Sequence, residues 1–149
     1  MAEETGGTGP GHRAVTLTRV SKGVFDVTNE RGGTMRIGGG GEDFSPVELL
    51  LAAIAGCTAI DVDFITTKRV QPETFTVEAS GEKLRDDTGN HMGDLRLEFT
   101  VTFPEGEDGD QARKRLPDAL TRSHDRLCTV SRTVERGTPI TTREAGAGS

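Results

Sequence analysis

A mixed α+β domain with antiparallel sheet is the fold this sequence predicts, on three observations. Stretches of apolar–polar alternation come in sets joined by Gly-, Asn- and Asp-rich turns, the pattern of antiparallel hairpins. One long apolar stretch lies between two such sets, with a helix start written into its first residues. A charged amphipathic segment follows the second set. The expected order is βββ-α-ββ-αα-β.

Ala14 to Val20 alternates, with Val15 and Leu17 on one face and Thr16 and Thr18 on the other, as in a half-buried strand. Ser21-Lys22-Gly23 turns the chain into Val24 to Thr28. Asn29-Glu30-Arg31-Gly32-Gly33 turns it again into Thr34 to Ile37, completing a meander. The loop Gly38 to Gly41 has neither the Lys-Ser/Thr ending of a phosphate loop nor dinucleotide spacing. Ser45 suits an N-cap, Pro46 the first helical position, and Glu48 completes a capping box. The helix should run to about Lys68, short of Pro72. Leu49 to Cys57 is apolar on every side, so its burial calls for a sheet wrapped round it or a second subunit.

Glu73 to Lys83 alternates through Phe75, Val77 and Ala79, and Asp86 to Asn90 reads as a turn. Leu95, Leu97, Phe99, Val101 and Phe103 then share one strand face. Asp110 to Arg126 reads as an amphipathic helix with Ala112, Leu116, Leu120 and Leu127 inward, and Cys128 to Val134 as a short further helix. Gly137-Thr138-Pro139 leads to a last strand, Ile140 to Arg143. Residues 1–12 and 144–149 lack apolar periodicity and are expected to be disordered tails around one domain at 13–143.

The chain has 149 residues and a mass of 15.9 kDa, the size of one domain. Six Phe with no Trp or Tyr disfavour base stacking, and a net charge of −6 disfavours a phosphate-backbone surface, so no nucleic-acid partner is expected. The most apolar run, Val47 to Ile60, is about 14 residues against the roughly 20 of a membrane span, and Asp61 and Asp63 follow it. No membrane partner and no signal peptide are expected. The expected location is the cytoplasm, where thiols stay reduced unless their chemistry is redox.

Cys57 and Cys128 are the strong nucleophile candidates. A thiol in an apolar helix is ordinarily a small hydrophobe, and burial raises its pKa. Cys57 is also too far from its helix N-terminus to feel the partial positive charge there. Its activation would need a cation from outside the helix. Asp61, one turn after Cys57, would oppose a thiolate unless an arginine paired with it. Glu48 lies about 180° round the helix from Cys57, better placed to cap than to reach the sulfur. Arg132 and His124 flank Cys128 as a possible cation and a possible base or cap. Two cysteines with His91 or His124 could make four zinc ligands, but no CxxC or HxxxH spacing is present, so neither metal nor cofactor is expected.

The run Phe44-Ser45-Pro46-Val47-Glu48-Leu49-Leu50-Leu51-Ala52-Ala53-Ile54-Ala55-Gly56-Cys57-Thr58-Ala59-Ile60-Asp61-Val62 resembles the first signature of the OsmC/Ohr family. Leu127-Cys128-Thr129-Val130-Ser131-Arg132-Thr133-Val134 resembles the second. The resemblance implies an OsmC-like fold, an intertwined homodimer in which antiparallel sheets wrap long central helices. It implies a thiol peroxidase acting on hydroperoxides, organic ones in many members, regenerated by an external dithiol. Cys57 would be the peroxidatic residue and Cys128 the resolving one. Arg36, before the glycine loop, resembles the arginine that precedes the first motif in some members and would activate Cys57, with Arg19 and Lys22 of the first hairpin as competitors; each reads more readily as a solvated strand charge. Peroxidase members carry an acid directly after the motif's proline, where this chain has Val47. That departure leaves room for a non-catalytic dimer binding a small apolar or electrophilic ligand at the subunit interface.

Overall fold

The structure is a computed structural model that describes residues 9–146. The outer parts of both expected tails, residues 1–8 and 147–149, lie outside the described residues; 9–12 and 144–146 carry no helix or strand. The chain divides into two compact units, Met1–Leu50 and Leu51–Ser149.

The first unit is the predicted meander: β1 (Val15–Ser21), β2 (Val24–Asn29) and β3 (Thr34–Gly38), antiparallel in the order β1-β2-β3. Asn29 closes the second turn, its side-chain oxygen accepting from the Arg31 and Gly33 amides. β1 departs from expectation, because every residue of it is exposed, Val15 and Leu17 included. Its alternation sets the strand without a buried face in this chain. Gly38 cannot be replaced freely: its φ is +84°, and a Cβ there would lie 2.2 Å from the Gly23 carbonyl oxygen. The Gly38 amide donates to the Phe44 carbonyl, which brings the chain back to a helix start.

That helix, α1 (Pro46–Thr66), crosses the boundary between the units and ends two residues earlier than expected. The capping box forms as read. The Glu48 carboxylate accepts the Ser45 amide at 2.9 Å, and the Ser45 hydroxyl accepts the Glu48 amide at 3.2 Å. By length and composition α1 is apolar enough to cross a membrane. It is also a core helix by its stripe, since Ile54, Thr58, Val62 and Thr66 recur every fourth residue and are buried.

The second unit continues with the hairpin β4 (Thr74–Asp86) and β5 (Gly89–Thr102), longer than the sequence suggests. Asp86 makes the tight turn, its carboxylate accepting from the Thr88 amide and hydroxyl and the Gly89 amide. The pairing therefore begins at Asp86 with Gly89, ahead of the apolar alternation at Leu95. Further along, Phe75 and Phe99 meet edge to face, with centroids 6.3 Å apart.

The second helix, α2 (Glu107–Arg122), opens on Glu107, Asp108 and Asp110, which suit the positive end of its dipole. A Cβ on Gly109 would lie 1.8 Å from the Pro104 carbonyl oxygen, so only glycine fits where α2 leaves β5. Ala112 and Ala119 are buried, and Leu116 and Leu120 partly so. The expected run to Arg126 is broken. Ser123–Leu127 is one wide π-type turn, followed by α3 (Thr129–Arg136). The extra residue in that turn rotates the chain, so Leu127 points outward at 44% exposure, against expectation, and Cys128 goes inward at 0%. α3 ends at Gly137 in the left-handed conformation. The predicted strand Ile140 to Arg143 does not form: these four residues carry no ladder bonds, and Ile140 is 91% exposed.

Candidate active site

Two cysteines separated by most of the second unit's sequence meet at the first turn of α3. Cys57 sits midway along α1, beside the buried stripe and partly exposed. Cys128 is placed by the π-type turn, its amide donating to the Ser123 carbonyl at 2.7 Å. It is then the N-cap of α3. Its Sγ accepts the Ser131 amide at 3.4 Å and lies 3.2 Å from the Ser131 hydroxyl. The turn is pinned to α1 by the Ser123 hydroxyl, which donates to Asp61 at 2.7 Å.

The surroundings push the two thiols apart. Burial raises the Cys57 thiol above its ordinary value, and neighbouring Cys128 and the Asp61 charge add to the rise; the Val130 backbone amide opposes them. Burial works in the same direction on Cys128. There the Ser131 hydroxyl, the Thr58 hydroxyl and the Ser131 amide outweigh it, and Cys57 itself contributes a hydrogen bond. The Cys128 thiol therefore lies below its ordinary value, and the negative charge of the ionised pair rests on the buried sulfur.

Of the sequence-predicted residues, Cys57, Cys128 and Asp61 are thus neighbours in the second unit. Glu48 is engaged in the cap of α1. Arg36 on β3 grips the Asp26 carboxylate of β2 with two bonds, 2.7 and 3.1 Å, and that partner holds its guanidinium pKa up. His124 contacts Asp125 at 3.0 Å and Glu135 at 3.2 Å, and Arg132 donates to the Asp125 carbonyl. His91 lies 3.7 Å from Asp86 at the hairpin turn. Among the described residues no group of three or more His, Cys, Asp and Glu side chains is placed to hold a metal.

Sequence reasoning missed Thr58, Ser123 and Ser131. Ser131 had a local signal, since it stands three residues after an N-cap, where a capping partner belongs. Thr58 and Ser123 act through space and had none. A cavity of about 520 Å³ reaches Thr58 and Ser131, with apolar walls from Leu51, Ile54, Leu97, Phe99 and Leu120 and charged ones from Arg96, Glu98, His124 and Glu135. Neither cysteine lines it, but the two hydroxyls that touch Cys128 do, and most of its wall is apolar.

Residues 39–143 match the family model described as OsmC-like protein. No curated protein matches the chain. Among solved structures, a hypothetical protein from Aquifex aeolicus superposes with a TM-score of 0.69 at 21% identity, over 87% of this chain and 91% of that one. An OsmC-like protein of unknown function from Vibrio cholerae gives 0.70 at 16% identity, over 85% and 95%. The organic hydroperoxide resistance protein OhrB of Bacillus subtilis gives 0.53 at 16% identity, over 85% and 92%. At these identities the likeness is one of fold.

Proposed function

This chain belongs to the OsmC-like family, and from that premise we propose that it is a cysteine-based hydroperoxide reductase. The observation that carries the reading is the meeting of Cys57 and Cys128 at the first turn of α3. Two thiols brought together from distant parts of a chain, with donors arranged for a thiolate on one of them, suit a dithiol–disulfide cycle.

Access and acidity divide the work. Cys57 is the sulfur a peroxide can reach, because Cys128 has no exposed surface. A proton passes from Cys57 to the Cys128 thiolate, and the Cys57 sulfur attacks the terminal peroxide oxygen. The O–O bond breaks, leaving Cys57 as a sulfenic acid and releasing an alkoxide that takes a proton from water. Cys128 then gives up its proton and attacks the Cys57 sulfur. A disulfide forms and water leaves. An external dithiol reduces the bridge and restores both thiols. The apolar cavity favours organic hydroperoxides. In this scheme Asp61 holds the turn through Ser123, while Glu48 and Arg36 serve the fold.

The working unit is a homodimer. Ile60 and Phe64, one turn apart on α1, are 51% and 66% exposed, an apolar stripe that a second copy would cover. Cytoplasmic residence suits a cycle that needs reduced thiols. Peroxide consumption with dithiothreitol, using an organic hydroperoxide and hydrogen peroxide side by side, tests the activity. Turnover faster with the organic substrate supports the proposal, and no turnover with either rejects it. Sedimentation at micromolar concentration should give twice the monomer mass.

A second reading has its own support. Val47 stands where peroxidase members have an acid, and burial raises the Cys57 thiol. A non-catalytic dimer that holds an apolar or electrophilic ligand would leave both thiols unreacted after an hour with peroxide.

A further inference from the structure

A second concavity, of about 370 Å³, lies on the far side of α3 and concentrates positive charge in a protein of net charge −6. It is lined by Arg126, Arg132 and Arg136 with Thr129, Thr133 and Thr138, and by one apolar side chain, Leu127. The four α3 residues among these stand at positions 129, 132, 133 and 136. That is the i, i+3, i+4, i+7 spacing of one helix face, opposite the partly buried Val130 and Ser131. Arg126 joins them from the π-type turn and Thr138 from just beyond the C-cap.

What sets this cluster apart is the removal of the local carboxylates. Asp125 is next to Arg126 in sequence, and Glu135 is next to Arg136. Both carboxylates turn instead to His124, at 3.0 and 3.2 Å. Among the described residues no carboxylate lies within salt-bridge distance of Arg126, Arg132 or Arg136. Arg132 is instead oriented by its bond to the Asp125 carbonyl, which fixes one edge of its guanidinium and leaves the other edge free.

We propose that this concavity is a binding site for a small organic anion bearing a phosphate or carboxylate group. Three guanidiniums offer forked, charge-assisted donors suited to either group. The volume suits a small molecule better than a folded partner. The site does not depend on either sulfur, so it stands or falls apart from the peroxidase reading.

Calorimetric titration of the full chain with inorganic phosphate, glycerol 3-phosphate and succinate, at constant ionic strength set with chloride, tests it. Saturable binding of at least one of these is expected, weakened at least about tenfold in Arg126→Gln/Arg136→Gln. Among the described residues neither of these arginine side chains has a hydrogen-bond or ion-pair partner, so folding should survive; circular dichroism checks this. Arg126→Lys/Arg136→Lys keeps the charge without the fork and should fall between. Arg36→Gln, on β3, should leave binding unchanged. Binding of the two phosphates alone identifies a phosphate ligand, and binding of succinate alone a carboxylate. The proposal is overturned if all three give only dilution heats, or if the paired glutamine variant binds as the parent does.

Discussion

Cys57 and Cys128 reach the same turn of α3 from unlike surroundings. The first stands in the middle of a helix, where backbone donors are spent on the helix itself; one amide, from Val130 of another element, touches it. The second stands at a helix start, where amides are unspent and two hydroxyls are at hand. Burial penalises both charges, yet only the helix-start sulfur has enough donors to overcome it. A thiolate is made by the donors left unspent around it, here two hydroxyls and one backbone amide. The more accessible cysteine of the pair is here the less acidic one.

The largest test of that division removes each sulfur in turn. Cys57→Ser should abolish peroxide consumption and leave Cys128 a thiol. Cys128→Ser should allow one attack, after which Cys57 accumulates as a sulfenic acid that dimedone traps, while the parent loses two hydrogens per chain. Mass spectrometry after one equivalent of peroxide reads both. Sulfenic acid on Cys128 in Cys57→Ser, at the parent rate, would invert the roles.

A smaller effect should come from removing the donors. Thr58→Val and Ser131→Ala should each move the Cys128 thiolate's ultraviolet absorbance to higher pH, a readout that needs no access to the buried sulfur, because the thiolate loses a hydrogen bond. Cys57 should be little affected. If Arg36→Ala shifts the Cys57 alkylation profile to higher pH, the Asp26-bound guanidinium reaches further than its ion pair suggests, and the contrast between the two sulfurs needs a third party.

Glu48 and His124 offer the mildest perturbations. Glu48→Ala should lower stability by about 1 kcal/mol through loss of the cap, and Glu48→Gln by much less, with peroxide reduction intact in both. Thermal melts and turnover together check this. A hundredfold loss of rate in Glu48→Gln at unchanged melting temperature would give that carboxylate a catalytic part. The Asp125 and Glu135 carboxylates raise the His124 pKa above its ordinary value. Its stabilising contribution is therefore fully present below about pH 6.5 and is lost as pH rises through the raised folded value. His124→Gln should lower the melting temperature slightly in mild acid and not in alkali, a difference of a few tenths of a kcal/mol given its exposure.

A feature is legible in the sequence when its cause is local. The capping box at Ser45 and Glu48 was legible because its hydrogen bonds close within four residues, and the meander because its turn residues are explicit. Both cysteines were legible as chemistry-bearing side chains. The outward turn of Leu127 was not, because helical periodicity assumes a constant angle per residue and the π-type turn breaks it. The polar half of the β4–β5 hairpin was hidden because Asp86 fixes it through its own side chain. Thr58 joins the site only through tertiary packing, and the strand expected at Ile140 had propensity but no pairing partner among the described residues.

The wide turn at Ser123–Leu127 has a consequence for how this segment can change in length. It works as a phase adjuster between α2 and α3. Deleting one residue from it would let α2 run straight on in ordinary helical phase, swinging α3 by about 100°. Leu127 would then face the interior, and the Cys128 sulfur would leave Cys57. Hydrophobic burial would reward that slip, so the shortened chain could fold well and still have its dithiol parted. Substitutions across these five residues should therefore be far better tolerated by the redox pair than any single insertion or deletion.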